Sequence, residues 1–182
     1  QDVQNDFVKF HEAATRIGST DRSESVGIRA GTGYPTRLLF FNPSDPAGAV
    51  RTTDSRSVTF RNITATEPET RDYFNGTVGN INGSGLSYSV DYNEYRNAPT
   101  TNYEYGLLYN DFGEEQVIRN SGSIVEGSDI SLTFLSGNLS TATSQTLSLN
   151  VRPKSAPSRT VPITANETTR DNITLTLPTN LS

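Results

Sequence analysis

Several residue types are missing or rare in this 182-residue chain. It has no Cys, no Met and no Trp, a single His, and only two lysines, Lys9 and Lys154, among its 15 cationic residues. The absence of Cys excludes a disulfide framework and thiol chemistry. One imidazole with no thiol also excludes a His-based metal cage or a His-dependent catalytic triad within one chain. No run of about 18 apolar residues is present, so no segment of this sequence predicts a membrane-spanning helix.

The composition predicts an acidic and very polar surface. The formal net charge is -5, only 32% of the residues are hydrophobic, and the chain contains 20 Ser, 24 Thr and 16 Asn. Because there is no run of Lys or Arg, this balance excludes nucleic acid as a partner. Lysine's apolar stem is a liability where salt screens exposed charges, so the scarcity of Lys predicts a halophilic source.

The first 17 residues have the pattern of an amphipathic helix. Their apolar positions recur at steps of three and four along one face, and these are Val3, Phe7, Phe10, Ala14 and Ile17. Such a face must be covered by apolar groups, so we expect it to form the interface between the helix and the rest of the chain. Gly18 occupies the position of a C′ glycine and predicts the end of the helix. Gln1 provides neither a Met start nor a capping box, so the helix is expected to continue a longer one.

Everything after residue 18 has the pattern of strands and turns. Apolar residues alternate with polar ones, or form short runs, at residues 26–30, 37–41, 57–66, 86–92, 103–109, 116–119, 129–135, 146–151, 160–164 and 172–177. The Gly- and Asn-rich residues 72–85 predict an exposed loop, and residues 103–119 predict a hairpin that turns near residue 111. The predicted fold is mainly β (α+β), as one domain over residues 1–182. The N-terminal helix (residues 1–18) packs on a β-sandwich or rolled antiparallel sheet formed by residues 19–182.

Seven Asn-X-Ser/Thr triplets predict N-glycosylation. The acceptors are Asn62, Asn75, Asn82, Asn138, Asn166, Asn172 and Asn180. Random order at this composition gives roughly four such triplets, so the excess indicates an exported surface protein, with composition alone as the competing explanation. Asn75 and Asn82 are the strongest candidates because they fall in the Gly-rich segment.

Two groups of carboxylates are candidate sites, and each has a simpler explanation. Asp111, Glu114 and Glu115 surround a turn and could hold Ca²⁺, but no EF-hand spacing is present, which favours a solvated turn. Asp91 and Glu94 could form the carboxylate pair of a glycoside hydrolase. Ordinary surface charge is the favoured interpretation of this pair.

The tyrosines provide one further candidate. Alternating tyrosines could form a sugar-stacking ligand face, represented by Tyr95 and Tyr105, although in-register tyrosines also fill the face of a sheet. His11 is expected to be a partly buried helix residue with one satisfied nitrogen. No metal set and no cofactor motif is predicted, because no Gly pattern lies between a strand and a helix as a phosphate-binding loop requires.

Four segments resemble a family of haloarchaeal exported proteins of unassigned function, and these are residues 11–26, 33–43, 92–101 and 155–161. Members are similar at the N-terminus to type IV pilins and archaeal flagellins, in which a basic leader and a hydrophobic helix precede a polar, β-rich ectodomain. The resemblance implies a non-enzymatic, extracellular cell-surface subunit with a structural or adhesive role in a filament.

By the same resemblance, a hydrophobic segment ahead of Gln1 anchors the subunit in the membrane or assembles it. Its partners are further copies or other surface subunits, and it carries N-linked glycan. No catalytic residues come with the resemblance. The alternative function is a carbohydrate- or protein-binding surface module that uses the tyrosine-rich sheet face.

Overall fold

The structure is a computed structural model that describes residues 2–20, 22–31, 46–65, 68, 78–90, 98–121, 124–154, 163–165 and 173–181. The chain divides into two compact units. The first combines Gln1–Asp54 with Ser84–Ala156, and the second combines Ser55–Gly83 with Pro157–Ser182. Each unit is described by itself, and the single domain predicted over residues 1–182 stays a prediction.

One helix and fifteen strands are present among the described residues. In chain order they are α1 (Asp2–Thr20), β1 (Glu24–Arg29), β2 (Gly48–Thr52), β3 (Arg56–Arg61), β4 (Ile63–Ala65), β5 (Val78–Gly83), β6 (Leu86–Val90), β7 (Thr100–Glu104), β8 (Leu107–Asp111), β9 (Gln116–Ser121), β10 (Val125–Glu126), β11 (Asp129–Ile130), β12 (Ser140–Thr143), β13 (Thr146–Val151), β14 (Ile163–Ala165) and β15 (Thr174–Thr176). The predicted fold class is confirmed: the protein is mainly β, with one N-terminal helix and several antiparallel sheets.

The first unit is built on a six-stranded antiparallel sheet in the order β12, β2, β6, β7, β8, β9. Beside it, β1 and β13 form a two-stranded antiparallel ribbon, and β10 and β11 form a short hairpin. Helix α1 contacts β1 and β13, and it also contacts β7 and β8. The helix therefore shares its core with both the ribbon and the large sheet.

The apolar face of α1 is covered by these strands. Its five predicted interface side chains are all at least nine-tenths buried, and they are Val3, Phe7, Phe10, Ala14 and Ile17. Phe7 and Phe10 join one core cluster with Ile28 of β1, Val50 of β2 and Leu108 of β8. Burying an apolar side chain of this size contributes about 1.5–3 kcal/mol, so the face holds the helix on the sheets.

The alternation in β13 and β6 places their apolar residues as the sequence predicts. In β13, Leu147, Leu149 and Val151 are half-buried and pack on the core, while their neighbours are exposed. In β6, Leu86 and Tyr88 are buried. Both strands are therefore half-buried surfaces of the type that a two-residue period indicates.

The second unit contains a three-stranded antiparallel sheet, β15-β3-β5, and the two-stranded pair β14-β4. Its apolar interior includes Val58, Phe60 and Ile63. The predicted strand over residues 57–66 is interrupted at Asn62, whose φ is 60°. A left-handed residue of this kind breaks the ladder, and Asn adopts it more readily than most residues, so β3 ends and β4 begins there.

Several local predictions are wrong. Residues 78–83 of the predicted loop form β5, because cross-strand pairing with β3 overrides the weak strand propensity of Gly and Asn. The helix continues through Gly18 to Thr20, whose hydroxyl donates to the Arg16 carbonyl at 3.0 Å. The strand predicted over residues 129–135 shortens to the two residues of β11. The strand predicted at residues 37–41 lies outside the described residues.

A tight turn at residues 105–106 divides the strand predicted over residues 103–109 into two strands. Tyr105 and Gly106 have φ values of 56° and 104°, and Glu104 pairs with Leu107 across them. Positive φ at both central residues is the requirement of a type I′ hairpin turn. The chain therefore reverses at Tyr105, and β7 and β8 form a hairpin of their own ahead of the predicted one at β8 and β9.

Candidate functional site

An ion pair fastens α1 to β1 inside the interface. Arg29 donates to the Asp6 carboxylate from Nε (2.9 Å), from Nη2 (2.9 Å) and from its backbone N–H (3.0 Å). The Asp6 side chain is 3% exposed and the Arg29 side chain 45% exposed, and Lys9 Nζ lies 3.8 Å from the same carboxylate. Sequence reasoning missed this pair. Its only signal is that Asp6 lies three residues after Val3, next to the apolar face.

The charge of Asp6 is stabilised by this arrangement. Burial raises the pKa of Asp6, but the hydrogen bonds from Arg29, its charge and the charge of Lys9 together lower the pKa below its ordinary value of 3.8. The carboxylate is therefore ionised wherever the protein is folded near neutral pH. Its role is to position α1, since all three of its donors belong to one residue of β1.

An aromatic cluster that contains two buried polar atoms lies where α1 contacts β7. The Phe10 and Tyr103 rings pack edge-on with centroids 5.2 Å apart, and the His11 ring lies 5.8 Å from that of Tyr103. Among the described residues, His11 Nδ1 and the Tyr103 hydroxyl are buried without a hydrogen-bond partner of normal geometry. Burial lowers the pKa of His11 against a raising effect of Glu12, and burial raises the pKa of Tyr103 to about 12 against the lowering effect of its contact with Thr133. At neutral pH both groups are therefore uncharged.

Buried polar side chains also line both faces of the β7–β8 hairpin. Thr101 donates to Asn110 Oδ1 at 3.0 Å, and the Tyr109 hydroxyl donates to Glu104 Oε2 at 3.2 Å. All four side chains are less than one-tenth exposed. Hydrogen-bonded polar pairs of this kind fix the register of a hairpin rather than leave a reactive group open to solvent.

Tyr105 lies in the interior, whereas a ring that stacks on a sugar must be exposed. Its side chain is 4% exposed, and its ring packs against Phe134 with centroids 6.0 Å apart. Tyr88, Tyr103 and Tyr109 are also buried. These rings fill the faces of the sheet, which is the alternative explanation for the alternating tyrosines. Tyr95, the other residue of the predicted ligand face, lies outside the described residues.

Four of the seven predicted glycosylation acceptors are described. Asn82 in β5 and Asn138 ahead of β12 are exposed, whereas Asn62 at the β3–β4 break is half-buried. Asn180 is exposed, and its amide oxygen accepts a hydrogen bond of 2.6 Å from Arg56 Nη2. Asn82 and Asn138 thus offer the most open acceptors of the described set. The other three, Asn75, Asn166 and Asn172, fall outside it.

The Asp111 side chain holds the acidic turn at the end of β8. Asp111 Oδ1 accepts from the N–H of Gly113 at 2.8 Å, and Asp111 Oδ2 accepts from the Gln116 amide at 3.3 Å. Glu114 and Glu115 are exposed. In the part of the chain that the structure describes, no group of three or more His, Cys, Asp or Glu side chains is placed to hold a metal ion. The carboxylates at residues 91 and 94 lie outside that part.

The hairpin of β8 and β9 exposes apolar side chains at the end of the large sheet. Phe112 in the turn is 46% exposed, and Val117 and Ile118 in β9 are 42% and 52% exposed. Within the described ranges β9 pairs on one side only, with β8. Phe112, Val117 and Ile118 are thus the exposed apolar side chains of this hairpin.

Within the described residues, no helix is both long enough and apolar enough to cross a membrane. Comparison of the chain with family models, with curated proteins and with solved structures gives no match.

Proposed function

We propose that this chain is a non-enzymatic, pilin-like subunit of an archaeal, halophilic cell surface, with a structural or adhesive role. In this proposal a hydrophobic segment N-terminal to α1 anchors or assembles the subunit. The β-rich remainder is the glycosylated extracellular part. Other copies of the chain, or other surface subunits, are its partners.

The observation that carries the proposal is how α1 is held. Its apolar face is buried against two sheets, and its buried Asp6 is bonded three times by Arg29. A helix fixed in this way can transmit force from an N-terminal segment into the β-rich body, because pulling on it must break buried contacts. A subunit of a surface filament needs that property, and the family resemblance implies the same arrangement of helix and sheet.

The test is the product of the complete gene compared with residues 1–182 alone. If the proposal is right, the complete product is recovered with membranes or as filaments visible by electron microscopy. The shorter chain is expected in the soluble fraction. A complete product that stays soluble and monomeric contradicts the proposal.

Glycan attachment provides a second test of the surface location. We expect mass spectrometry of protein from the native cells to show glycan mass at Asn82 and Asn138, whose side chains are exposed. Asn62, which is half-buried, serves as the internal comparison. Unmodified peptides covering both exposed acceptors contradict the predicted glycosylation.

A further inference from the structure

Strand β13 forms one edge of the β1–β13 ribbon and has a row of apolar side chains that the core covers only in part. Leu147, Leu149 and Val151 pack on the core but are half-buried, and the residues between them are exposed. Helix α1 contacts β1 more extensively than β13. Within the described ranges β13 pairs on one side only, with β1. A strand added at this edge would therefore cover apolar surface that the ribbon leaves open.

The two outer edges of the ribbon differ in how their backbone groups are used. The Ala30 N–H donates to the Gln145 carbonyl across the ribbon, so the next residue of each strand points its N–H and C=O outward, and the alternation continues from there. On β1, the outward N–H of Arg29 donates to the Asp6 carboxylate of α1 at 3.0 Å. The outward residues of β13 are Thr146, Ser148 and Asn150. The helix thus protects the β1 edge, while no described strand pairs with the β13 edge.

The part of the chain around β13 is uncharged over an unusual length. Residues 130–151, which include β12 and β13, contain no Asp, Glu, Lys or Arg. Because the chain has 15 cationic and 20 acidic residues among 182, random order would place about four of them in this segment. Charges near an edge strand discourage pairing, and here they are missing. Two copies of a protein with a net charge of -5 also repel each other least through an uncharged surface.

We propose that β13 pairs antiparallel with β13 of a second copy of this chain, with the two-fold axis at Leu149. The two ribbons then form one four-stranded sheet in the order β1, β13, β13, β1. A second β13 fits this edge because it repeats the same apolar row. The neighbouring edge strand β12 has only Thr141 and Thr143 on its core side, so pairing with it would leave the leucines without apolar partners. This interface is one way for copies to meet, and it does not depend on the pilin-like role.

The apolar row selects this register among the possible ones. An axis at Leu149 places that residue opposite its own copy and Leu147 opposite Val151, so every apolar side chain of the row meets another. An axis at residue 148 leaves Val151 opposite the polar Gln145. An axis at residue 150 places Leu147 beyond the end of the partner β13, which ends at Val151.

The backbone geometry allows a close contact at this axis. Leu149 directs its N–H and C=O toward Val26 of β1, because it lies an even number of residues from Gln145. In the proposed dimer the two Leu149 residues form a non-hydrogen-bonded pair with Cα atoms about 4.5 Å apart. Ser148 of each copy then forms a hydrogen-bonded pair with Asn150 of the other.

The contact is small, so the dimer is expected to be weak. Five residues from each copy cover much less than the roughly 1,600 Å² of a standard protein interface, and we expect a dissociation constant on the order of 100 μM. Sedimentation velocity from about 10 μM to about 1 mM brackets this value, and the sedimentation coefficient should rise over that range. Added NaCl should not weaken the dimer, because salt screens the repulsion between two acidic copies and the interface contains no charge pair.

Paired charges at two exposed positions test the register. With the axis at Leu149, residue 148 of each copy faces residue 150 of the other. The same-sign variants S148K/N150K and S148E/N150E place like charges opposite each other, and we expect at least about 10-fold weaker self-association. The opposite-sign variants S148K/N150E and S148E/N150K place unlike charges there and should associate at least as well as wild type. They change the same two positions, so they are the matched controls.

A proline tests whether the outward backbone groups are used. Asn150→Pro removes an N–H that points away from β1, so the ribbon keeps its own hydrogen bonds and the dimer loses one from each copy. We expect self-association to fall at least about 10-fold. Ser25→Pro removes the outward N–H of the residue opposite Asn150 on β1 and should dimerise like wild type.

A thiol test reports the axis independently. The chain has no Cys, so Leu149→Cys introduces a single thiol. A non-hydrogen-bonded pair has the Cα spacing that a disulfide accepts, so we expect a covalent dimer under mild oxidation. Val125→Cys, at a position 61% exposed on β10, is the accessible-thiol control and should cross-link much more slowly.

Three outcomes overturn the interface. The first is a monomer at every concentration, with or without a different protein bound at this edge. The second is equal self-association of the same-sign and opposite-sign variants, and the third is an equal loss in Asn150→Pro and Ser25→Pro. Filaments of a complete gene product that never dimerises through β13 support the pilin-like role and exclude this interface. A β13 dimer of a complete product that stays soluble supports the interface and contradicts the pilin-like role.

Discussion

The buried ion pair between α1 and β1 gives the sharpest prediction for stability. Asp6→Asn keeps the shape of the side chain but removes its charge and replaces one acceptor oxygen by a donor amide. Arg29 then loses at least one of its three bonds, because an amide nitrogen cannot accept from Nη2 or Nε. The variant therefore tests how far the interface depends on charge rather than on shape.

The size of the effect follows from the exposure of the two partners. A hydrogen bond to a charged group contributes about 1.5–3 kcal/mol, and breaking a fully buried ion pair costs about 3–5 kcal/mol. The Asp6 side chain is 3% exposed, but Arg29 at 45% can be rehydrated when its partner changes. We therefore expect Asp6→Asn to lower the free energy of unfolding by about 2–3 kcal/mol.

The pH dependence of the same variant separates charge from packing. The folded protein has a pKa for Asp6 below the ordinary 3.8, so the folded state binds the proton less well than the unfolded state does. The stabilisation by this charge is complete above the unfolded pKa and is lost as the pH falls through the lowered value. The difference between wild type and Asp6→Asn should thus be largest near neutral pH and should narrow below about pH 4.

Urea unfolding followed by tyrosine fluorescence measures both effects, and the chain offers a matched control. Arg16 donates to Glu24 from Nε (3.1 Å) and Nη2 (2.6 Å) in the same two-pronged geometry. Those side chains are 55% and 36% exposed, so water screens the pair and Glu24→Gln should cost much less. Equal losses in the two variants, or a loss at Asp6 that does not change with pH, would refute the reasoning.

Three further variants test the core around the helix. Phe7→Ala removes a ring that is 0% exposed, and we expect chemical denaturation to show a loss of about 3–5 kcal/mol. Gly48→Ala brings a methyl group against the Ala30 carbonyl and the Tyr88 ring, so thermal unfolding should show a loss of about 1–3 kcal/mol or more. The pKa of His11 is lowered in the folded state, so its neutral form stabilises the fold above pH 6.5 and this stability is lost as the pH falls; His11→Gln should remove that dependence.

Matched changes elsewhere serve as controls for these variants. Phe112→Ala removes the same ring from a side chain that is 46% exposed and should cost far less than Phe7→Ala. Gly27→Ala meets only the methyl group of Thr146 at 3.2 Å and should be tolerated. Similar losses in the buried and exposed members of either pair, or an unchanged pH profile in His11→Gln, would contradict the packing described here.

The helix and the strands that bury one face could be predicted from the spacing of their apolar residues. The steps of three and four in residues 3–17 identify the buried face of the helix, and the two-residue period identifies β6 and β13. A half-buried element repeats its apolar residues with the period of its own backbone, which is 3.6 residues in a helix and two in a strand. The break between β3 and β4 also has a local cause, since Asn62 takes a left-handed conformation within the predicted strand. Local patterns of this kind need no knowledge of the partner strand.

Elements that depend on a distant partner could not be predicted. Strand β2 contains Gly48 and Arg51, and β12 is the polar run Ser140–Thr143, so neither has a clear period of its own. They are strands because β2 lies between β6 and β12 in the sheet. The bond between Asp6 and Arg29 is similar, since nothing near either residue in sequence identifies the other.

One unpredicted turn changes the meaning of the tyrosine pattern. A single strand over residues 103–109 would place Tyr103, Tyr105 and Tyr109 on one face. The reversal at Tyr105 instead pairs Tyr103 with Leu108 and Tyr109 with Asn102, which puts Tyr103 and Tyr109 on opposite faces of the sheet. The continuous aromatic surface that a sugar-binding module would need is absent from this described hairpin. Tyrosine spacing alone therefore supports packing, and any binding role must rest on residues beyond β7 and β8.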